Sequence, residues 1–183
     1  FTSEMRVGIL TVSTSKSTNS EADVSGPTLV DLFKNSKILE NVEIIRTGIV
    51  PDDIRRITGH LESWSKSCDV IITTGGTGMS FDDVTPEATK KFIQKECPGI
   101  VQALLNRSLQ ATPMAALTRL AAGIYRYTLI INLPGSPKAC RECFEVLEPI
   151  LNHAIHLLGH RIEDVNQTHA EIQGLEGNQR SES

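Results

Sequence analysis

The chain is short of several things, and each shortage excludes something. Its 183 residues hold four cysteines, Cys68, Cys97, Cys140 and Cys143. That is too few for a disulfide framework at this length, so a reducing, cytoplasmic compartment is expected. No apolar run approaches the ~20 residues of a spanning helix, so no membrane span is expected. Positive charge is not in excess. The net charge of −4 argues against a general nucleic-acid footprint, and any phosphate must be held by a local site. No signal-peptide pattern precedes Arg6, and an opening on Phe1 is expected of a fragment or a processed chain. Cys140-x-x-Cys143 has no second pair, so zinc would lack two ligands, and no strand leads into it as a thioredoxin-type motif requires. His153, His156 and His160 fall near one helix face and read as a surface stripe. Trp64 is predicted to be a core residue. No internal repeat is visible.

What is present is an alternation of strands and helices. Arg6–Ser13 (RVGILTVS) is predicted as a buried strand, and the polar stretch from Thr14 to Ser25 as a long loop. Ser25-Gly26-Pro27 starts a helix, with Ser25 or Gly26 as cap and Pro27 in the first turn. A second strand covers Val42–Val50. Pro51 opens a helix with Ile54, Ile57, Leu61 and Trp64 on one face. Asp69–Thr74 is the third strand. Helices follow at Pro86–Lys95 and Gly99–Leu109, then a strand at Thr128–Leu133. A final helix is expected from Ala139 to Gly159. From Glu163 the chain is poor in apolar residues, so 1–162 reads as one domain and 163–183 as a polar linker or disordered tail. This pattern predicts an α/β fold, a mostly parallel sheet covered on both faces, with ligands beyond the carboxyl ends of its strands. Three loops lie there: Ser13–Gly26, Thr74–Thr85 and Leu133–Pro137.

The densest signal is Ile71-Ile72-Thr73-Thr74-Gly75-Gly76-Thr77-Gly78, a buried strand running into a glycine loop. It is neither a GxGxxG fingerprint nor a P-loop, since no helix starts at once and no GK[ST] follows. It is either an ordinary tight turn or an anion cradle, in which glycines let backbone N–H groups approach a phosphate and threonine hydroxyls add donors. Asp52-Asp53 and Asp82-Asp83 both precede predicted helices. They either complement helix dipoles or supply hard oxygen ligands for Mg²⁺ beside phosphates. Ser25-Gly26-Pro27 is a plain helix cap or a phosphate-facing helix start. Asn132-Leu133-Pro134-Gly135-Ser136 is a strand-ending turn or a backbone wall able to recognise the donors and acceptors of a ring.

Taken in order, SGP at 25–27, VPD at 50–52, TTGGTG at 73–78, DVTPEAT at 83–89 and NLPGS at 132–136 resemble the MogA-type molybdopterin adenylyltransferases, and most closely the G domain of gephyrin. The resemblance covers about residues 5 to 160. It implies a three-layer αβα sandwich and the transfer of AMP from ATP to the terminal phosphate of molybdopterin, with release of pyrophosphate and with Mg²⁺. By motif, Asp52 and Asp83 would be the catalytic and metal-holding acids. Ser25, Gly26, Gly75, Gly76, Thr77 and Gly78 would bind phosphate or nucleotide. Asn132, Pro134, Gly135 and Ser136 would line the pterin side, and Ser108 and Thr118-Arg119 match stretches near the cleft. A homotrimer is implied, and a molybdenum-insertion domain fused beyond the C-terminus. The chain departs from the family pattern at Thr14 (commonly Asp), Asp82 (commonly Arg) and Tyr127 (commonly Gly). A cation lost beside phosphates weakens binding by ~1–3 kcal/mol. These departures motivate an alternative, a trimeric scaffold or pterin-binding module with weak or lost catalysis.

Overall fold

The computed structural model describes residues 4–178, with side chains through 159. Six strands form one sheet: β1 (Met5–Val12), β2 (Val42–Val50), β3 (Val70–Thr74), β4 (Lys95–Glu96), β5 (Ala122–Tyr125) and β6 (Thr128–Leu133). Their order is β2-β1-β3-β6-β5-β4. The first four in that order run parallel, and β5 and β4 are antiparallel additions at one edge. The helices are α1 (Thr14–Thr18), α2 (Ser25–Asn35), α3 (Ile54–Ser65), α4 (Thr85–Phe92), α5 (Pro98–Ala111) and α6 (Pro137–Asn178), with 3₁₀ turns at Ser20–Ala22 and Pro113–Leu117.

The sequences of β1, β3 and β6 are largely apolar because both faces of the sheet are covered there, whereas the edge strand β2 carries exposed Glu43, Arg46 and Thr47. Side chains alternate across the pleat, so adjacent residues enter different cores. Ile9, Ile72 and Ile131 pack with Leu29, Phe33, Leu104, Phe144 and Leu147 from α2, α5 and α6. Leu10, Ile71 and Ile130 pack with Ile57, Leu61, Trp64 and Ala88 from α3 and α4. The three-layer α/β architecture is therefore as expected. Trp64 is buried, and its ring lies over Gly48 and Gly8, where a β-carbon at Gly8 would come within 2.8 Å of the indole.

Several expected boundaries move. The loop from Thr14 to Ser25 carries α1 and a 3₁₀ turn, closed by local side-chain bonds such as Ser17 Oγ to the Thr14 carbonyl. The cap of α2 is neither Ser25 nor Gly26, because Asp23 Oδ1 accepts the Gly26 N–H at 3.1 Å. Helix α4 stops at Phe92 rather than Lys95. Ile93 turns extended, and Lys95–Glu96 pairs with β5. The sequence pattern missed β5, a four-residue strand that reaches β6 through a tight turn in which Arg126 has φ 53°. Helix α6 starts at Pro137 and continues past Gly159 to Asn178, through a stretch with no proline or glycine between 160 and 173. Residues 179–183 of the expected tail lie outside the described residues. Among the described residues no helix is long and apolar enough to cross a membrane.

Candidate functional site

In the strand order β2-β1-β3-β6 the chain leaves β1 toward β2 on one side and β3 on the other, which opens a crevice at the carboxyl ends of these strands. Val50, Val12, Thr74 and Leu133 end the four strands there, and the residues that follow them build the site. Gly75 and Gly76 have φ of 97° and 66°, a region open to glycine but strained for other residues. A β-carbon on Gly75 would collide with the Val12 carbonyl, and one on Gly76 with Thr85 Oγ1. The loop is therefore pressed against β1 and the start of α4 in a way that only glycine permits.

Both expected acids reach this loop. A β-carbon on Gly76 would sit 3.1 Å from Asp52 Oδ1, and Asp83 Oδ2 accepts the Gly78 N–H at 2.9 Å. Asp52 Oδ2 is occupied on its other side. It accepts from the backbone N and the Oγ1 of Thr14, each at 2.9 Å, while Thr14 Oγ1 accepts the Asp52 N–H at 3.1 Å. The neighbour Asp53 instead caps α3, accepting the Arg56 N–H at 2.9 Å, so the dipole explanation holds for Asp53. Pro134 is drawn to the same place: its carbonyl accepts from Thr74 Oγ1 at 2.7 Å, and the Gly75 N–H donates to the Leu133 carbonyl at 3.1 Å.

The resulting cavity, about 420 Å³, is lined by Gly75–Gly78, Asp83 and Pro134–Ser136. Its far wall comes from α5, the 3₁₀ turn and α6 through Ser108, Thr112, Met114, Thr118 and Glu142. Of these, only Ser108 and Thr118 carried any signal in the sequence. Their neighbour Arg119 ties the loop down. Its Nε donates to the Gly78 carbonyl at 2.7 Å, its Nη2 to the Asp83 carbonyl at 2.8 Å, and its Nη1 pairs with Glu87.

Three expected site residues sit elsewhere. Asn132 does not line the cavity. It is fully buried, its Nδ2 donates to Thr73 Oγ1 and Thr89 Oγ1 at 2.9 Å each, and its Oδ1 accepts the Ala121 N–H at 3.2 Å. All its polar capacity but one lone pair is spent joining β3, α4 and the residue that leads into β5, because its position in β6 points it into the protein. Ser25 is also fully buried, with its Oγ directed at Asp23 Oδ1 (3.4 Å). Gly26 lines a second cavity, about 450 Å³, with Thr11, Ser20, Asp23 and Asp31 over an apolar floor of Ile9, Val30 and Ile49. The three loops thus serve two cavities, and Asp52 lines neither of them. Cys140 and Cys143 lie under the site as thiols, each pushed up to about 11 by burial. Cys140 Sγ contacts Thr74 Oγ1 and the Pro134 carbonyl at 3.3 Å, so it serves as packing.

The donor set fits a hard cation held mainly by substrate. Asp52 Oδ1 and Asp83 Oδ1 make no hydrogen bond within the described residues, while each Oδ2 is engaged. No group of three or more ligating side chains is present among the described residues. Mg²⁺ suits such a place, since it binds through one or two carboxylates, phosphate oxygens and water rather than a full protein cage.

Comparison with known proteins agrees with this architecture. The family model described as "Probable molybdopterin binding domain" matches residues 8–153. The chain belongs to this family. It is 43% identical over 173 residues to the molybdenum cofactor synthesis protein cinnamon of Drosophila melanogaster, covering 91% of this chain and 28% of that protein. It is 41% identical to gephyrin of Dictyostelium discoideum, over 85% of this chain and 23% of that protein. The chain thus spans about a quarter of those relatives. It is 37% identical to the molybdopterin adenylyltransferase of Helicobacter pylori strain J99, covering 89% of this chain and 93% of that one. Among solved structures, the molybdopterin biosynthesis enzyme MoaB of Thermus thermophilus superposes with a TM-score of 0.76 at 38% identity, covering 84% of this chain and 96% of that one.

Proposed function

We propose that this chain transfers AMP from ATP to the terminal phosphate of molybdopterin. The observation that carries the proposal is that Asp52 and Asp83, remote in sequence, both reach one glycine loop that lines a cavity with Pro134, Gly135 and Ser136. A phosphate oxygen of molybdopterin attacks the α-phosphorus of ATP, the bond from that phosphorus to the β-bridging oxygen breaks, and pyrophosphate leaves. The nucleophile belongs to the substrate, so no nucleophilic side chain is needed. Catalysis is then positioning and charge neutralisation.

The cavity beside Pro134, Gly135 and Ser136 takes the pterin and its phosphate, which meets the amides of Gly76 and Thr77. The cavity at Gly26 and Asp23 takes the nucleoside, its apolar floor under the base and its hydroxyls and carboxylates toward the sugar. Asp52 and Asp83 would hold Mg²⁺ through their unengaged oxygens, and the ion would neutralise phosphate charge. Thr14 fixes the carboxylate of Asp52 by two hydrogen bonds without adding a second negative charge. A homotrimer, a fused molybdenum-insertion domain reached through 163–183, and a cytoplasmic location belong to the same proposal. They rest on the family resemblance and, for the fusion, on the greater length of cinnamon and gephyrin.

The test is a turnover assay. Pyrophosphate release should require ATP and molybdopterin together. Tight pterin binding with no turnover would favour the scaffold reading that Thr14 and Asp82 motivate. Release independent of the pterin would contradict both.

A further inference from the structure

A backbone loop binds an anion only if its N–H groups face the ligand and its carbonyls face elsewhere. In the Gly75–Gly78 run every carbonyl has a protein donor. Gly75 O accepts from Thr85 Oγ1 at 2.9 Å and Gly76 O from the Thr85 N–H at 3.1 Å. Thr77 O accepts from the Arg119 N–H at 2.7 Å and Gly78 O from Arg119 Nε at 2.7 Å. Two residues therefore share the four carbonyls, Thr85 the first pair and Arg119 the second.

Within a peptide unit the C=O and the following N–H point in opposite directions. Holding Gly75 O and Gly76 O against the fully buried Thr85 turns the amides of Gly76 and Thr77 away from it. Those two amides donate to no acceptor among the described residues. The Gly78 N–H is turned to Asp83 Oδ2. Thr85 is a fixed part of α4, but Arg119 reaches from a distant segment and also holds the carbonyl of Asp83 itself. Glycine flanks these peptide units, and a glycine-flanked peptide can rotate at little steric cost. An inverted unit at Thr77–Gly78 or Gly78–Met79 would present a carbonyl oxygen to a phosphate and release Asp83 from Gly78.

We propose that Arg119 is a positioning residue that locks the second half of the anion loop, keeping its carbonyls turned away from the phosphate and Asp83 oriented toward it. The proposal deepens the adenylyl-transfer reading of this site and rests on it for its role in catalysis, but not for its role in anion binding. Arg119 need not touch substrate. Its guanidinium is spent on two carbonyls and Glu87, a fork that lysine cannot reproduce.

The experiment titrates inorganic pyrophosphate into the protein, following heat and the amide resonances of Gly76 and Thr77. Wild type should bind with shifts at both amides. Arg119→Gln should weaken binding by about tenfold to a hundredfold and scatter the amide resonances of Gly78 and Met79, the units on the Arg119 side of the loop, before any ligand is added, while Arg6→Gln, which breaks the surface pair with Asp69, should leave affinity and resonances unchanged. Arg119→Ala should regain affinity on addition of guanidinium ion at concentrations too low to unfold the protein, a rescue that general destabilisation would not give. Arg119→Lys covers the case in which the other variants do not fold, and should fall between wild type and Arg119→Gln. Unchanged pyrophosphate affinity in Arg119→Gln, absence of binding in wild type, or a defect that guanidinium does not relieve would each overturn the proposal. Loss of pyrophosphate affinity in a protein with no adenylyl transfer in wild type would overturn the reaction and leave the lock standing.

Discussion

Replacing Asp83 by Asn is the sharpest perturbation of the site, because it separates charge from shape. Asp83 Oδ2 accepts the Gly78 N–H at 2.9 Å, and an Asn side-chain oxygen can take the same hydrogen. The loop should therefore keep its form. The structural cost is the difference between a charge-assisted and a neutral hydrogen bond, about 1 kcal/mol. What Asn cannot supply is the negative charge at the free oxygen. If that oxygen helps hold a divalent cation against the phosphates, turnover should fall by at least ~10²–10³, the scale seen when one preorganised electrostatic contact is removed. Asp83→Ala should show the same loss of rate plus a larger loss of stability, because the Gly78 N–H is then left without a partner. The assay is pyrophosphate release under saturating ATP and molybdopterin, with a urea titration on the same samples. Asp83→Asn at full rate would remove Asp83 from the mechanism. A loss of rate that matched a loss of folded protein would assign the residue to loop structure alone.

Other expectations follow from the same geometry. Thr14→Val deletes the hydroxyl that both donates to Asp52 Oδ2 and accepts the Asp52 N–H. Turnover should fall about tenfold and return in Thr14→Ser; equal rates in all three would show that Asp52 needs no such support. Asn132→Leu leaves two buried hydroxyls and the Ala121 N–H short of a partner, and should cost ~3 kcal/mol or more in urea unfolding; a cost below ~1 kcal/mol would refute its role as a hub. Cys68, Cys140 and Cys143 are each raised from 9.0 to about 11, chiefly by burial. A raised thiol favours the neutral form in the folded state, so its stabilising contribution is complete below pH 9 and lost as pH rises toward about 11. The urea midpoint should decline across that window and decline less in Cys140→Ser; a flat midpoint would contradict the burial of these thiols.

The parallel half of the sheet was legible in the sequence because β1, β3 and β6 are mostly apolar, and because β2, β3 and β6 each run into a proline or glycine turn. The antiparallel edge was not. Strands β4 and β5 have two and four residues, too few for periodicity to register, and the turn between β5 and β6 uses Arg126 in the left-handed region where a glycine would have announced it. At the site, Asp52, Asp83 and the loop glycines were legible as acids and glycines beside turns, and in the structure they are half-buried. Asn132 was misplaced because it shares a motif with Pro134 and Gly135. A strand residue two positions before its turn still obeys the pleat, and here the pleat points inward.

Arg119 was harder to see for a different reason. Its partners are the carbonyls of Gly78 and Asp83, and backbone carbonyls leave no mark in a sequence. The same holds for Thr85, which looks like the first residue of a helix yet holds Gly75 and Gly76 by their oxygens. A glycine-rich loop is often described by what its glycines permit. Permission alone gives many conformers, of which few present N–H groups to a phosphate. Selection among them has to come from non-glycine residues that engage the carbonyls, and in this chain those are Thr85 and Arg119, both beyond the loop in sequence. It follows that substitutions at Thr85 and Arg119 should impair anion binding although neither residue need contact the anion, and that a glycine loop lacking such partners would be a turn and nothing more.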